Sequence, residues 1–148
     1  MNVEQTLQSI SITLADYIST AAASSEVPLH KLVHTPLSPS TDFQDGYSPL
    51  LEDVTPYLAI LGQLLFIVNV SRPDVAYSVS LLSRFFQAPR QVHLKAAYRV
   101  FQYLCTTCTH ELVFCAGSPL QITIYSDASH GSATDSPYAT RGYCGLVF

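Results

Sequence analysis

Apolar residues recur at helical spacing over most of this chain and switch to alternation near its end. In residues 1–24, Leu7, Ile10, Leu14, Tyr17 and Ile18 fall on one helical face, yet Ser9-Ile10-Ser11-Ile12-Thr13-Leu14 alternates as a strand would, so both readings stand. Residues 27–56 carry Pro28, Pro36, Pro39, Pro49 and Pro56 among Ser, Thr and Asp, which forbids long helices and predicts an extended connector and a domain boundary. A helix is expected next, from Tyr57 to about Ile67. Thr55 is placed to cap its amides, Pro56 to fill its first position, and Asp53 to sit near the positive end of its dipole. Gly62, in its middle, gives up roughly 1 kcal/mol relative to alanine and predicts a close helix contact. Ser71-Arg72-Pro73-Asp74 repeats the start signal ahead of Val75, Val79, Leu82, Phe85 and Phe86, the apolar face of a second helix. Pro89 ends it, and a third helix from about Arg90 to Cys105 aligns Val92, Ala96, Val100, Phe101 and Leu104.

After His110 the spacing becomes that of strands. Leu112-Val113-Phe114 and the segment from Leu120 to Ser126 flank a turn at Gly117-Ser118-Pro119, and residues 142–148 form another apolar strand. Helices first and an antiparallel sheet second define an α+β fold, organised as residues 1–26, 27–56, 57–110 and 111–148, without internal repeats.

At 148 residues and 48% hydrophobic content, the chain is long and apolar enough to build a core. Its net charge of −4 exerts no global pull on nucleic acid or acidic membranes, so local charge must carry any such argument. The first twenty residues lack a basic start and an uninterrupted apolar run and contain Glu4 and Asp16, so the chain is expected in the cytoplasm or nucleus and not secreted. Cys105, Cys108, Cys115 and Cys144 are then reduced thiols. The most apolar run, residues 57–70, is shorter than the about 20 residues of a membrane span. It reads as a buried helix, and no membrane partner is expected.

The most informative candidate for chemistry is Asp127, in Tyr125-Ser126-Asp127-Ala128-Ser129-His130-Gly131, where an alternating strand opens into a Gly-containing loop. Such a carboxylate can ligate a metal at a sheet edge, although Asp and Ser in tandem are also ordinary turn formers. A two-metal site needs several acids, because each ion takes about six oxygens. Asp135, in the next loop, is read as a solvated acid. Arg84, Arg90, Lys95 and Arg99, with His93 and His110, occupy a stretch from Val75 to His110 that contains no Asp or Glu. Lys95 and Arg99 are one helical turn apart and repel by a few tenths of a kcal/mol, a penalty that a phosphate would relieve. The plain alternative is a solvated basic face.

Cys105-Thr106-Thr107-Cys108 has the spacing of half a zinc site, but only Cys115 and His110 lie near, so fortuitous thiols are the simpler reading. His30 and His34 are bracketed by Pro28 and Pro36 and read as loop residues. Ser126, Asp127 and His130 suggest a hydrolytic triad, but no Gly-x-Ser-x-Gly elbow supports it.

Over residues 10–148 an ordered series of motifs resembles the Pol polyproteins of copia-type long-terminal-repeat retrotransposons. The series runs from Tyr57-Leu58-Ala59-Ile60-Leu61-Gly62-Gln63-Leu64-Leu65-Phe66 to Ser71-Arg72-Pro73-Asp74-Val75-Ala76-Tyr77 and Leu81-Leu82-Ser83-Arg84-Phe85. It continues through Pro89, His93-Leu94-Lys95-Ala96-Ala97-Tyr98-Arg99-Val100 and Tyr103-Leu104 to Tyr125-Ser126-Asp127-Ala128 and Thr140-Arg141-Gly142-Tyr143. The resemblance implies that residues 1–26 end a palm and begin a thumb-like segment. It further implies that 27–56 are a connector, 57–110 a helical thumb or connection-like region, and 111–148 the start of a ribonuclease H-like domain with an incomplete antiparallel hairpin.

On the same resemblance, Asp127 matches the first metal-binding carboxylate of that domain, which holds Mg²⁺ in the intact parent, and Arg84, Arg90, Lys95 and Arg99 contact a template–primer duplex or an RNA–DNA hybrid. The polymerase aspartates would lie upstream of Met1 and the other ribonuclease H acids beyond Phe148. The expectation is therefore a catalytically incomplete Pol fragment, related to an RNA-directed DNA polymerase and ribonuclease H, that takes no cofactor itself and can associate with the remaining Pol segments. The alternatives are a surviving nucleic-acid-binding or protein-interaction module without enzymatic activity, and a marginally folded relic. The chain departs from the family at Leu94, where an aromatic is usual, at Tyr98 and Gln102, where basic residues are common, and at Cys105-Thr106-Thr107, where a Lys-Gly-Thr-like exit is expected.

Overall fold

In the computed structural model, which describes residues 1–43, 46–117, 121–129 and 140–147, both N-terminal readings are half right. Strands β1 (Asn2–Gln5) and β2 (Ser9–Thr13) come first, and helix α1 (Ala15–Ser24) follows. The alternating segment is the strand, and only the later apolar residues, Leu14, Ile18, Ala21 and Ala22, reach the core, whereas Leu7 is fully exposed. Helix α1 ends on Glu26 at φ 51°, a left-handed conformation that a non-glycine residue adopts at some strain, and the Val27 N–H closes the end by donating to the Ala22 carbonyl at 3.0 Å.

Three further helices follow: α2 (Thr55–Val70), α3 (Ala76–Ser83), entered through the short 3₁₀ turn Pro73–Val75, and α4 (Gln91–Thr106). Helix α2 buries Tyr57, Ile60, Leu61, Leu64 and Ile67, a stripe at helical spacing. Across the core, α3 contributes Val79 and Leu82, and α4 contributes Ala96, Ala97, Val100, Phe101 and Leu104. Each fully buried aliphatic side chain here stabilises the fold by about 1.5–3 kcal/mol. The Tyr57 hydroxyl, fully enclosed, donates to the Leu82 carbonyl at 2.8 Å and so ties α2 to the end of α3. Phe85 and Phe86, expected on the second helix, lie past its end, and Phe86 is exposed.

Two expectations at α2 are corrected. Thr55 is the first helical residue rather than its cap; its N–H donates to Asp53 Oδ1 at 2.8 Å, so Asp53 performs the capping and its carboxyl is held below the usual range by the bonds from Thr55. Gly62 lies on the solvent side, and a Cβ built on it meets nothing within 4 Å, so no close helix contact explains it. Gly62→Ala is accordingly expected to stabilise the protein by about 1 kcal/mol, seen as a rise in the midpoint of urea denaturation. An unchanged or lowered midpoint would contradict this placement of Gly62.

Among its described residues the connector, residues 27–54, forms no helix and no strand beyond a single bridge from Leu50 to Arg90, as its prolines favour, but it is not a free linker. It lies against α4 as a strap held by a run of hydrogen bonds along the helix. The Gln102 amide donates to the Pro28 carbonyl at 2.5 Å, and Val33 N–H to Thr106 Oγ1 at 3.3 Å. At the other end Gln91 N–H donates to the Pro49 carbonyl at 2.9 Å and Leu51 N–H to that of Pro89 at 3.0 Å.

Strands β3 (Leu112–Cys115), β4 (Ile122–Ser129) and β5 (Thr140–Val147) complete the chain. A β3–β4 pair around residues 117–119 is not what forms. Strand β3 belongs to a three-stranded sheet in the order β1-β2-β3, and β4 pairs antiparallel with β5, with Ile122 opposite Val147, Asp127 opposite Gly142 and Ser129 opposite Thr140. Strand β3 finds its partners at the far end of the chain, as the 2.7 Å bond from Ala116 N–H to the Gln8 carbonyl illustrates. Of the expected turn, Ser118 and Pro119 lie outside the described residues.

The chain divides into two compact units, Met1–Glu4 with Ser11–Leu112 and Gln5–Ile10 with Val113–Phe148. The first contains all four helices and the whole core. In the second, the β4–β5 hairpin exposes Ile122 and Ile124 on one face and Tyr125 on the other. A two-stranded pair is marginal by itself.

Candidate functional site

Helix α4 presents Lys95 and Arg99 one turn apart on the side facing the strap. Together with Lys31, Ser38, Ser40, Thr41 and Asp42 of the strap they line an open cleft of about 490 Å³. The Arg99 Nη2 donates to Thr35 Oγ1 at 3.0 Å, and its Nε is buried without a hydrogen-bond partner. Among the described residues the ion pair that forms is Arg72–Asp74, elsewhere in the fold, so Lys31, Lys95 and Arg99 line the cleft without pairing to a carboxylate.

The other two cations of the proposed basic face are used differently. Arg90 turns its Nη1 to the Ser48 and Gly46 carbonyls, at 2.5 and 3.2 Å, and so braces the strap. Arg84 lies at the end of α3 and also has an interaction of its own. The four cations thus do not form one stripe: Lys95 and Arg99 share a cleft, and neither Arg84 nor Arg90 lines it.

His93 stands behind this face. It is 1% exposed; its Nδ1 accepts the Arg90 N–H at 2.9 Å, its Nε2 lies 3.0 Å from the Phe43 carbonyl, and its ring stacks on Phe85 at 4.0 Å. An imidazole that accepts at Nδ1 is neutral with its proton on Nε2, which therefore donates to Phe43. Burial pushes its pKa below the usual histidine value, and the Arg90 charge adds to that against the opposing bond to Phe43. Val92 N–H donates to Ser48 Oγ at 3.0 Å, so the start of α4 is capped by the strap and by its own third residue.

Asp127 lies on β4 opposite Gly142, exposed to solvent. Among the described residues no group of three or more His, Cys, Asp or Glu side chains gathers to hold a metal ion. Asp127 by itself offers fewer oxygens than the about six that a bound Mg²⁺ takes. Asp135 and His130 lie outside the described residues. Cys105 and Cys108 are half-buried free thiols; burial and the neighbouring Cys108 raise the Cys105 pKa, the opposite of what a thiolate zinc ligand needs. No helix among the described residues is long and apolar enough to cross a membrane.

Two features escaped sequence reasoning. Lys31 carries no local signal, since its approach to α4 depends on the path of the strap. The other is the cluster around Arg72, read above only as part of a helix start. Arg72 is 2% exposed and grips Asp74 through two bonds, Nε to Oδ1 at 2.9 Å and Nη2 to Oδ2 at 2.8 Å.

Comparison with known proteins places these features among mobile-element proteins. The chain is 47% identical over 148 residues to a transposon Ty5-1 protein of Saccharomyces cerevisiae, a match covering 99% of this chain and 48% of that protein. It is 34% identical over 127 residues to a retrovirus-related Pol polyprotein from transposon RE1 of Arabidopsis thaliana, covering 86% of this chain and 9% of the polyprotein. A secreted RxLR effector protein of Plasmopara viticola is 36% identical over 88 residues, 60% of this chain and 62% of the effector. The chain thus spans about half of the yeast relative and under a tenth of the polyprotein. No family model and no solved structure matches.

Proposed function

Because the chain belongs to the family of transposon-encoded, retrovirus-related Pol polyproteins, we propose that it corresponds to the distal helices of a copia-type reverse transcriptase joined to the opening strands of a ribonuclease H domain. In this reading neither catalytic site is complete within the chain. The observation that carries it is the setting of Asp127: a carboxylate on a strand, opposite Gly142, outside any group of three or more His, Cys, Asp or Glu side chains among the described residues. Mg²⁺ supplies its chemistry only where several acids converge, in the intact parent. The remaining Pol segments are natural partners, and the exposed Cys115 and Cys144 suit a reducing cytoplasm or nucleus.

The test is direct. Purified chain incubated with Mg²⁺ and a labelled RNA–DNA hybrid, or with a primed template and nucleotides, is expected to give no cleavage and no extension above background. Cleavage that Asp127→Asn abolishes would overturn the reading.

A second reading, a nucleic-acid-binding module without catalysis, is favoured by the convergence of Lys95 and Arg99 on one cleft. A duplex backbone is the partner whose charge such a surface complements, and few cations make the binding weak and sensitive to salt.

A further inference from the structure

We propose that the cleft between the strap and α4 is a binding site for a phosphate group, held by Lys31, Lys95 and Arg99 with the hydroxyls of Ser38 and Ser40. The inference deepens the module reading above and rests on it only for the source of the phosphate, which is either a nucleic-acid backbone or a free phosphate ester.

Charge is the first argument. Among the described residues three cations and one carboxylate, Asp42, line the cleft. Lys95 and Arg99 are fixed on one helix, but Lys31 is brought to them by the strap. Gathering like charges in this way raises the free energy of the fold unless an anion offsets it. None of the three pairs with a described carboxylate.

Donor geometry is the second. Arg99 lines the cleft and is oriented by its bond to Thr35. Lys31 approaches from the strap and Lys95 from the helix, while Ser38 and Ser40, whose hydroxyls bond each other at 2.9 Å, leave one hydroxyl proton on the strap side for a ligand. Donors converging from several directions suit the tetrahedral oxygens of phosphate better than the planar pair of a carboxylate. The volume of about 490 Å³ leaves room for the rest of an ester around that group.

The inference is tested with the full chain and two probes, pyrophosphate and a short RNA–DNA hybrid. Lys31 and Lys95 are exposed, so Lys31→Gln and Lys95→Gln remove charge without disturbing the core. Pyrophosphate at low salt is expected to shift the backbone amide resonances of residues 31, 38, 95 and 99. Each substitution is expected to weaken its binding by about threefold or more, and Lys31→Arg to restore it. For the hybrid, Lys31→Gln should lower the slope of log affinity against log salt by about 1. Loss of pyrophosphate binding in Lys31→Gln with hybrid binding unchanged would retain the site, assign it to a free ester and remove the duplex reading. Pyrophosphate that does not bind, or binds Lys31→Gln as tightly as the natural chain, would overturn the site, even if the hybrid still bound elsewhere on the protein.

Discussion

Replacing Arg72 with Met is expected to lower the folding free energy by about 3 kcal/mol, the low end of the range for breaking a buried pair, because Asp74 is still 38% exposed at its side chain. The guanidinium makes four hydrogen bonds. Beyond its two bonds to Asp74, Nη1 donates to the Thr107 carbonyl at 3.0 Å and Nη2 to Thr107 Oγ1 at 2.6 Å. The Tyr103 ring lies 5.5 Å from the guanidinium carbon, and the Tyr103 hydroxyl donates to Asp74 Oδ2 at 3.0 Å. The residue therefore clamps the junction of α2 and α3 to the carboxyl end of α4, where a positive charge also faces the negative end of the helix dipole. Arg72→Lys keeps the charge but cannot make the planar fork, so an intermediate loss is expected. Urea denaturation at pH 7 decides. Both variants within about 0.5 kcal/mol of the natural protein would mean that the clamp is decorative.

The clamp is also resistant to mild acid. Burial alone would raise the Asp74 pKa, but the bonds and charge of Arg72, helped by Tyr103, outweigh it and hold the carboxyl below its ordinary value. A depressed folded pKa gives stability that is full above the unfolded value, near 3.9, and is lost as pH falls through the folded one. Arg72 and Asp74 should therefore stay engaged at pH 5.

His93 has the second large effect, and it titrates in a different window. His93→Phe keeps the stack on Phe85 but strands the Arg90 N–H and the Phe43 carbonyl, two polar groups that lose their partners at a buried site. At about 1–2 kcal/mol each, the expected loss is about 2–4 kcal/mol. In the natural protein the folded pKa lies below the unfolded value, so the unfolded chain binds the proton first. Stability is full above about pH 6.5 and falls as pH drops from there through the folded pKa, because the added proton lands on Nδ1, which must accept from Arg90. Measured stability should therefore decline between pH 7.5 and pH 5 in the natural protein and stay nearly level in His93→Phe. The same decline in both proteins would assign the pH response to other groups.

Much of the helical part was legible in the chain itself. The spacing of Tyr57, Ile60, Leu61, Leu64 and Ile67 identifies a face, and prolines 56, 73 and 89 mark where helices start or stop. These signals are local, requiring only residues within two turns of each other. Gly62 was misread because a glycine in a helix is compatible with either a close contact or an open surface, and the pattern does not distinguish them. How the four cations are grouped in space was not legible for a related reason. Arg84, Arg90, Lys95 and Arg99 are neighbours in the chain, but the carbonyls of Gly46 and Ser48 claim Arg90, and the strap supplies Lys31 in its place.

The amino-acid order alone indicated the three helices after the proline-rich stretch, the strands after His110, and the family of mobile-element proteins that the motifs resemble, but left residues 1–24 open between helix and strand. Tertiary structure alone decided that this stretch is a strap bound along α4, that β3 joins β1 and β2 while β4 joins β5, and that Arg72 and His93 are the polar pivots of the core. The division has one physical cause. Helical faces, caps and breakers are written within a few residues, whereas a cleft or a strand pairing depends on groups far apart in the chain. Their meeting is chosen by the packing free energy of the whole fold rather than by any local preference.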